Sequence, residues 1–269
     1  MARHPGKLNL LKIPFCRISA RSGGEPRVRE AAIRRVMRRV FRLLSAARTG
    51  GVVVCAYSST AAMVFDMIDL ELRSELLAMK SKDEELHTEL SNAGALTGHY
   101  VPSLQAVHER NAARLREIVL EHGWPNEERV GPDGAYAAWL IVQHGIGDPS
   151  LQRGVLPLLR EEAAEGRVPT WQAAYLSDRI AMYEQRYQRY GTQWLDDPRD
   201  GRTRPWPIEE PDKVDSLRAS VGLGPLRPIP ERGPDLPLDE QESRRENQRW
   251  WQDWLASRGW LSDAPPKAE

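Results

Sequence analysis

The sequence predicts an all-α protein: an irregular multi-helix bundle followed by a proline-rich C-terminal extension. Three observations carry that expectation. Apolar residues from Ile68 onward recur at steps of three and four, the period of a helix with one buried face. Residues suited to caps and stops stand where such helices would begin and end. No run alternates apolar with polar residues over a strand's length, and no internal repeat is visible. With 269 residues and 41% apolar content, the chain can bury a sizeable core.

The first helix carries Ile68, Leu72, Leu76, Met79, Leu86 and Leu90 on one stripe, with Asp83 in the place where a Leu or Ile belongs. The second starts near Pro102 and Ser103, lines up Val107, Leu115, Ile118 and Val119, and stops at Gly123 before Trp124 and Pro125. Asn111 and His122 interrupt its stripe. After a turn containing Gly131, Pro132, Asp133 and Gly134, the segment Ala135 to Val142 is almost wholly apolar, which suits a central buried helix closed by Gln143 and His144. Asp148 then caps a fourth helix with Pro149 at its first position, and Pro157 should kink or divide it. Thr170 is expected to cap a fifth, with Trp171, Ala174, Tyr175 and Met182 on one side and Asp178 beside them. Gly191 is expected to end it through a left-handed turn. Nine prolines from Pro198 to Pro237 follow, with Asp212 to Val221 the one helical stretch among them. A last helix from about Leu238 to Ser257 carries Trp250, Trp251 and Trp254, which we expect to dock on the body.

The formal charge is zero, which removes any whole-chain attraction to nucleic acid or an anionic membrane. Residues 1–62 nonetheless hold 13 Lys and Arg against Glu25 and Glu30, a charge of +11, and the remaining 25 against 36 carry −11. Three readings stand for this leader: a basic arm for acidic partners, a plain disordered tail, or a start assigned too early, with translation beginning at Met63 or Met67. The third is favoured, because apolar periodicity and acidic composition switch on together at Asp66. The stretch Gly51 to Phe65 is too short and polar to span a bilayer, and about fifty residues precede it, unlike a secretory signal; the expected setting is the cytoplasm. Both cysteines, Cys16 and Cys55, lie in the leader, so a disulfide or cysteine chemistry in the body is excluded. The organisation expected is a basic leader over 1–66, a helical core over 67–194, a proline-rich wrap over 195–237 and a Trp-rich helix and tail over 238–269.

Asp83, Asn111, Gln143, His144, Gln152 and Asp178 come from different helices and fall on, or at the ends of, stripes that otherwise pack the core. Buried polar groups survive when partnered or solvated, so these residues are expected to converge, with Arg179, Arg114 and Arg110 as counter-charges. Two readings stand side by side. One is a structural network; the other is a water-lined pocket where His144 works as acid or base and an Asp orients it. A metal can be drawn from the pairs Asp83 with His87 and His144 with Asp148, but the Glu84-x-x-His87 motif occurs once where di-metal bundles use it twice, so no metal and no cofactor is expected. Nucleophile-elbow, phosphate-loop, zinc-protease and dinucleotide motifs are absent.

Gly123-Trp-Pro125, Val130-Gly131, Ala138-Trp-Leu-Ile-Val-Gln-His144, Ala174-Tyr-Leu-Ser-Asp-Arg179, Pro205-Trp-Pro-Ile-Glu-Glu210 and, as the hallmark, Gln188-Arg-Tyr-Gly-Thr-Gln193 together resemble a bacterial family known as a domain of unknown function. The resemblance covers roughly Leu70 to Leu226. It implies a domain beginning near Met67 and singles out Asp83, Asn111, Gln143, His144, Asp178, Arg179, Gln188 and Gln193 as its polar positions. It also implies Arg where this chain has His87, which speaks against the metal. The function expected is a helical domain binding a small polar ligand or a protein partner through a polar cleft, with Asp83, Asn111, Gln143, Gln152, Arg179, Gln188 and Gln193 lining it. The alternative is a hydrolase or transferase with His144 as general base, Asp178 as its partner, Arg179 holding an anionic group and Gln193 as a donor.

Overall fold

Helix α1 (Leu70–Asn92) begins where the Asp69 carboxylate accepts the Leu72 N–H at 2.9 Å, an N-cap that satisfies one of the orphan donors of a first turn. The computed structural model describes residues 68–96 and 98–261, which fall in one compact unit. The readings of the leader and of the translation start lie outside the described residues.

Helix α2 (Pro102–His122) opens on a proline and closes at Gly123, whose φ of 74° places it in the left-handed region. Helix α3 (Glu127–His144) starts at Asn126, whose side chain accepts the Arg129 N–H, and is interrupted at Gly131 (φ 72°, ψ 167°) before Pro132 restarts it. The turn expected at Gly131–Gly134 is thus a one-residue break inside a longer helix. Residue 131 precedes a proline, which disfavours the α region, and glycine takes the left-handed alternative without strain. From Ala135 to Gln143, α3 is buried on nearly every side except at Tyr136, because α1, α2, α4 (Pro149–Ala164) and α5 (Thr170–Tyr183) all pack on it.

Asp148 caps α4 as expected, accepting the Leu151 N–H at 3.0 Å. Pro157 neither divides nor ends α4, which runs unbroken to Ala164. Its ring lies on the exposed face, where water can take the carbonyl that loses an amide partner. Thr170 is not the cap of α5. That place falls to Pro169, and the Thr170 hydroxyl instead donates to the Val221 carbonyl at 3.0 Å. Helix α5 ends at Tyr183 rather than at Gly191.

A two-stranded antiparallel sheet follows, β1 (Trp194–Asp196) with β2 (Thr203–Pro205), pairing Trp194 with Pro205 and Asp196 with Thr203. It corrects the expectation that nothing pairs as sheet. Three-residue strands are too short to show a period, and the hairpin is tied by side chains: Arg204 bridges Asp200 at 2.6 Å and Asp197 at 3.2 Å. Beyond it, a 3₁₀ turn (Pro211–Lys213) leads into α6 (Val214–Ser220). The segment 221–237 carries no regular element and is strapped to the body by single contacts, such as Arg227 over the Trp194 ring at 3.6 Å and the Leu236 N–H on the Arg199 carbonyl at 2.7 Å.

The last helix, α7 (Leu238–Ser257), docks through its aromatic side. Trp250 stacks on His99, Trp251 and Trp254 contact the Tyr100 ring, and the Trp251 indole donates to the Gly98 carbonyl at 2.7 Å. Trp260, 1% exposed, donates to the Ile146 carbonyl at 2.7 Å. The core of the molecule is therefore mostly helical, and no described helix is long and apolar enough to cross a membrane.

Candidate functional site

Asp83 occupies a core position on α1, in line with Leu72 and Leu76, and is 1% exposed. Its carboxylate is bridged by two imidazoles. His108 Nε2 lies 2.8 Å from one oxygen and His144 Nδ1 2.6 Å from the other. The Tyr100 hydroxyl in turn reaches His108 Nδ1. An ionised carboxylate only accepts, so both ring nitrogens facing it carry protons. This assigns His108 as the Nε2–H tautomer with its Nδ1 accepting from Tyr100, and His144 as the Nδ1–H tautomer.

Burial pushes the Asp83 carboxyl up, but the His144 charge and the hydrogen bonds from His108 and His144 outweigh it, holding Asp83 well below the usual carboxylate range. Burial lowers His144 below an ordinary histidine, and nearby His108 and Arg179 act the same way against the pull of Asp83. Burial likewise raises Tyr100 and Tyr183, keeping both phenols protonated. The relay Tyr100–His108–Asp83–His144 thus centres on one buried carboxylate held between two imidazole N–H donors.

Beside it lie buried polar atoms that no described residue satisfies. Arg179, 4% exposed, donates from Nη1 to the Gln143 carbonyl at 2.7 Å and has no ion pair among the described residues, while its Nε has no partner. Both amide atoms of Gln143 and the Tyr183 hydroxyl are likewise buried without a hydrogen bond among the described residues. Tyr183 is one turn after Arg179 on α5, and the Arg179 charge lowers the pKa of both Tyr183 and His144. Gln143 and His144 are adjacent at the end of α3. Four elements, α1, α2, α3 and α5, therefore contribute to one buried polar cluster.

The other residues singled out from the sequence take different places. Asp178 serves the backbone of the next loop: it accepts the N–H groups of Arg189, Tyr190 and Thr192 and the Thr192 hydroxyl, at 2.8 to 3.1 Å. None of its hydrogen bonds goes to His144. Burial pushes its carboxyl up despite those donors. Gln188 closes the same loop, donating to the carbonyls of Gln193 and Trp206 and accepting the Gln193 N–H, and Gln193 donates to Thr192 Oγ1 at 2.9 Å. The Gln188–Gln193 segment is thus an internally bonded loop with Gly191 at φ 63°. Gln152 donates to the Val142 carbonyl at 2.8 Å, tying α4 to the end of α3, and Asn111 donates to the Met79 carbonyl at 3.2 Å, tying α2 to α1. His122 is exposed in the last turn of α2, Arg110 is exposed, and Arg114 pairs with Glu75 and Glu117 on the surface. The counter-groups of Asp83 are the two histidines and not the arginines.

Sequence reasoning missed His108, Tyr100 and Tyr183. His108 had a usable signal, since it follows Leu104 by four and precedes Asn111 by three on the buried face of α2. The Asp83, His108 and His144 donor atoms lie within 4.8 Å of one another, the one metal-compatible grouping of three among the described residues. At 2.6 and 2.8 Å the carboxylate–imidazole contacts have the length of hydrogen bonds.

Fold and site together define a mostly helical domain with a histidine–aspartate relay and a buried guanidinium that has no ion pair among the described residues. No curated protein and no solved structure matches the chain. The model of a family of unknown function, DUF6624, matches residues 70–230, and the chain belongs to that family.

Proposed function

We propose that the domain binds a small anionic ligand at the Arg179 cluster, against the His144 end of the relay. One observation carries this: Arg179 is buried and lacks a counter-ion among the described residues. A buried charge without a partner is strongly unfavourable, and a carboxylate or phosphate supplies both the missing charge and acceptors for a planar guanidinium. The unsatisfied atoms of Gln143 and Tyr183 offer the remaining hydrogen bonds. The setting we propose is the bacterial cytoplasm.

A second reading is favoured by the 2.6 Å contact between His144 and Asp83. A neutral histidine oriented by a buried carboxylate is suited to general-base work, which makes the domain a hydrolase or transferase acting on that anionic ligand. Asp83 then positions His144, a role the sequence assigned to Asp178.

The test uses the whole chain with inorganic phosphate, malonate and citrate, with sodium chloride as the ionic-strength control. Ligand binding to the folded state alone raises Tm by mass action. Saturable stabilisation by one of the anions is expected, and its absence in Arg179→Met. Because that variant can fail to fold, Tyr183→Phe provides a second measure. Removing a buried hydroxyl without a partner is neutral or stabilising in the free protein, yet weakens the anion's effect. If Tyr183→Phe destabilises the free protein by several degrees, its hydroxyl is already satisfied and the cluster is structural.

A further inference from the structure

A separate cleft of about 200 Å³ opens beside the cluster, between the C-terminal end of α5, the hairpin and α7. Tyr183 belongs to both. Trp206, Trp251, Gln185, Gln248 and Gln252 line the cleft, and no charged residue does so among the described residues. Both indoles are fixed by their own N–H groups, Trp206 on the Arg186 carbonyl and Trp251 on the Gly98 carbonyl, each at 2.7 Å. Their positions are therefore set before any ligand arrives, which reduces the ordering cost of binding.

Gln185 is the one described non-glycine residue with positive φ, at 56°. It is the left-handed residue that closes α5, with its N–H on the Met182 carbonyl and the Arg186 N–H on the Ala181 carbonyl at 2.8 Å, and it turns the chain at the cleft's edge. The Tyr183 hydroxyl, buried without a partner among the described residues, is a sign that these groups do not complete the region by themselves.

We propose that this cleft binds a neutral, planar nitrogen heterocycle of the nucleobase class. Each feature selects against an alternative. Rigid aromatic faces take up flat rings by stacking and tolerate many of them. Primary amides pair side by side with the adjacent donor and acceptor of a heterocycle's edge, as Gln does with a base, and a purely hydrocarbon ring leaves them unpaired. The uncharged lining gives no counter-ion for an ionic group. The volume lies below the roughly 300–1,000 Å³ of drug-sized pockets, which suits a single ring system.

The experiment titrates the full chain with adenine, guanosine, cytosine and uracil, with indole and phenol as apolar controls, followed by isothermal calorimetry and tryptophan fluorescence. Saturable binding of at least one heterocycle is expected, at least tenfold tighter than either control. Gln248 and Gln252 make no side-chain hydrogen bond with the protein among the described residues, so Gln248→Leu and Gln252→Leu leave the fold intact. Each should weaken the heterocycle about tenfold, with indole affinity unchanged or raised. The proposal is overturned if no heterocycle binds saturably, if indole binds as tightly as the bases, or if both glutamine variants keep wild-type affinity. Any of these leaves the anion reading standing, because that one is read from phosphate and carboxylate binding and from the stability of Tyr183→Phe without ligand.

Discussion

Replacing Asp83 by Asn tests the relay with almost no change of volume. In the native protein both carboxylate oxygens accept from imidazole N–H groups, at 2.8 and 2.6 Å, and the side chain is 1% exposed. Asparagine keeps one acceptor and turns an NH₂ group toward the other ring, so one imidazole must change tautomer or leave two donors facing each other. Hydrogen bonds to a charged partner contribute roughly 1.5–3 kcal/mol each, and one is lost outright while the other becomes a neutral bond. The expected loss is about 2–4 kcal/mol. For a chain of this size each kcal/mol moves Tm by about 2–4 °C, so calorimetry should show a fall of roughly 5–15 °C. The imidazole titration, followed by NMR, should move in the same experiment. Asp83 is the group that pulls the His144 pKa upward against burial, and without it His144 should titrate at still lower pH. A Tm within a degree of the native protein, with unchanged imidazole titration, would mean that Asp83 is solvated and that the relay does not exist.

Three further outcomes follow from the same contacts. Stability should decline on the acid side: burial holds His144 below its unfolded value of about 6.5, so its contribution is complete above that pH and is lost as pH falls through the depressed folded value. His87 is lowered by burial in the same sense. Urea midpoints measured from pH 8 to 5 should fall below about pH 6.5, and His144→Gln should flatten the curve; a flat native curve contradicts the burial. Asp178→Asn removes one of two oxygens that serve four donors, which should cost about 2–4 kcal/mol. Amide exchange at residues 189–192 should quicken well beyond the rest of the chain, and uniform exchange contradicts the assignment. Gly191→Ala puts a methyl group 2.7 Å from Leu226 Cδ1 at a left-handed φ of 63°, a strain of about 1–3 kcal/mol, visible as a lowered urea midpoint.

The helices were legible because their periods are long and their stripes clear. Leu238–Ser257, the Asp148 cap and the central Ala135–Val142 segment all follow from spacing and cap chemistry. Asp83 and Gln143 were legible for the opposite reason, as polar groups in phase with apolar ones. The same signal misled at His122, since a helix's last turn no longer has a neighbour to bury it. His108 and Tyr100 escaped notice: one lies where the stripe broadens between Val107 and Ala112, and the other lies in a loop that has no period at all. Arg179 was named from the sequence as a charge among core residues, whereas Tyr183 shares a face of α5 with ordinary core residues, and what distinguishes it is a hydroxyl without a partner among the described residues, a property of three-dimensional surroundings rather than of residue order. The hairpin escaped because its three paired rungs depend on Arg204 meeting Asp200 and Asp197 across a turn.

The wall of the cleft has two origins along the chain. Tyr183, Gln185 and Trp206 fall inside the family-matched stretch, whereas Gln248, Trp251 and Gln252 come after residue 230. Exchanging the tail alone would therefore change half of the cleft's lining while Asp83, His144 and Arg179 stay untouched. The Trp260 anchor on Ile146, two residues past His144, ties the tail that supplies the second half of the wall to the end of α3, beside the relay.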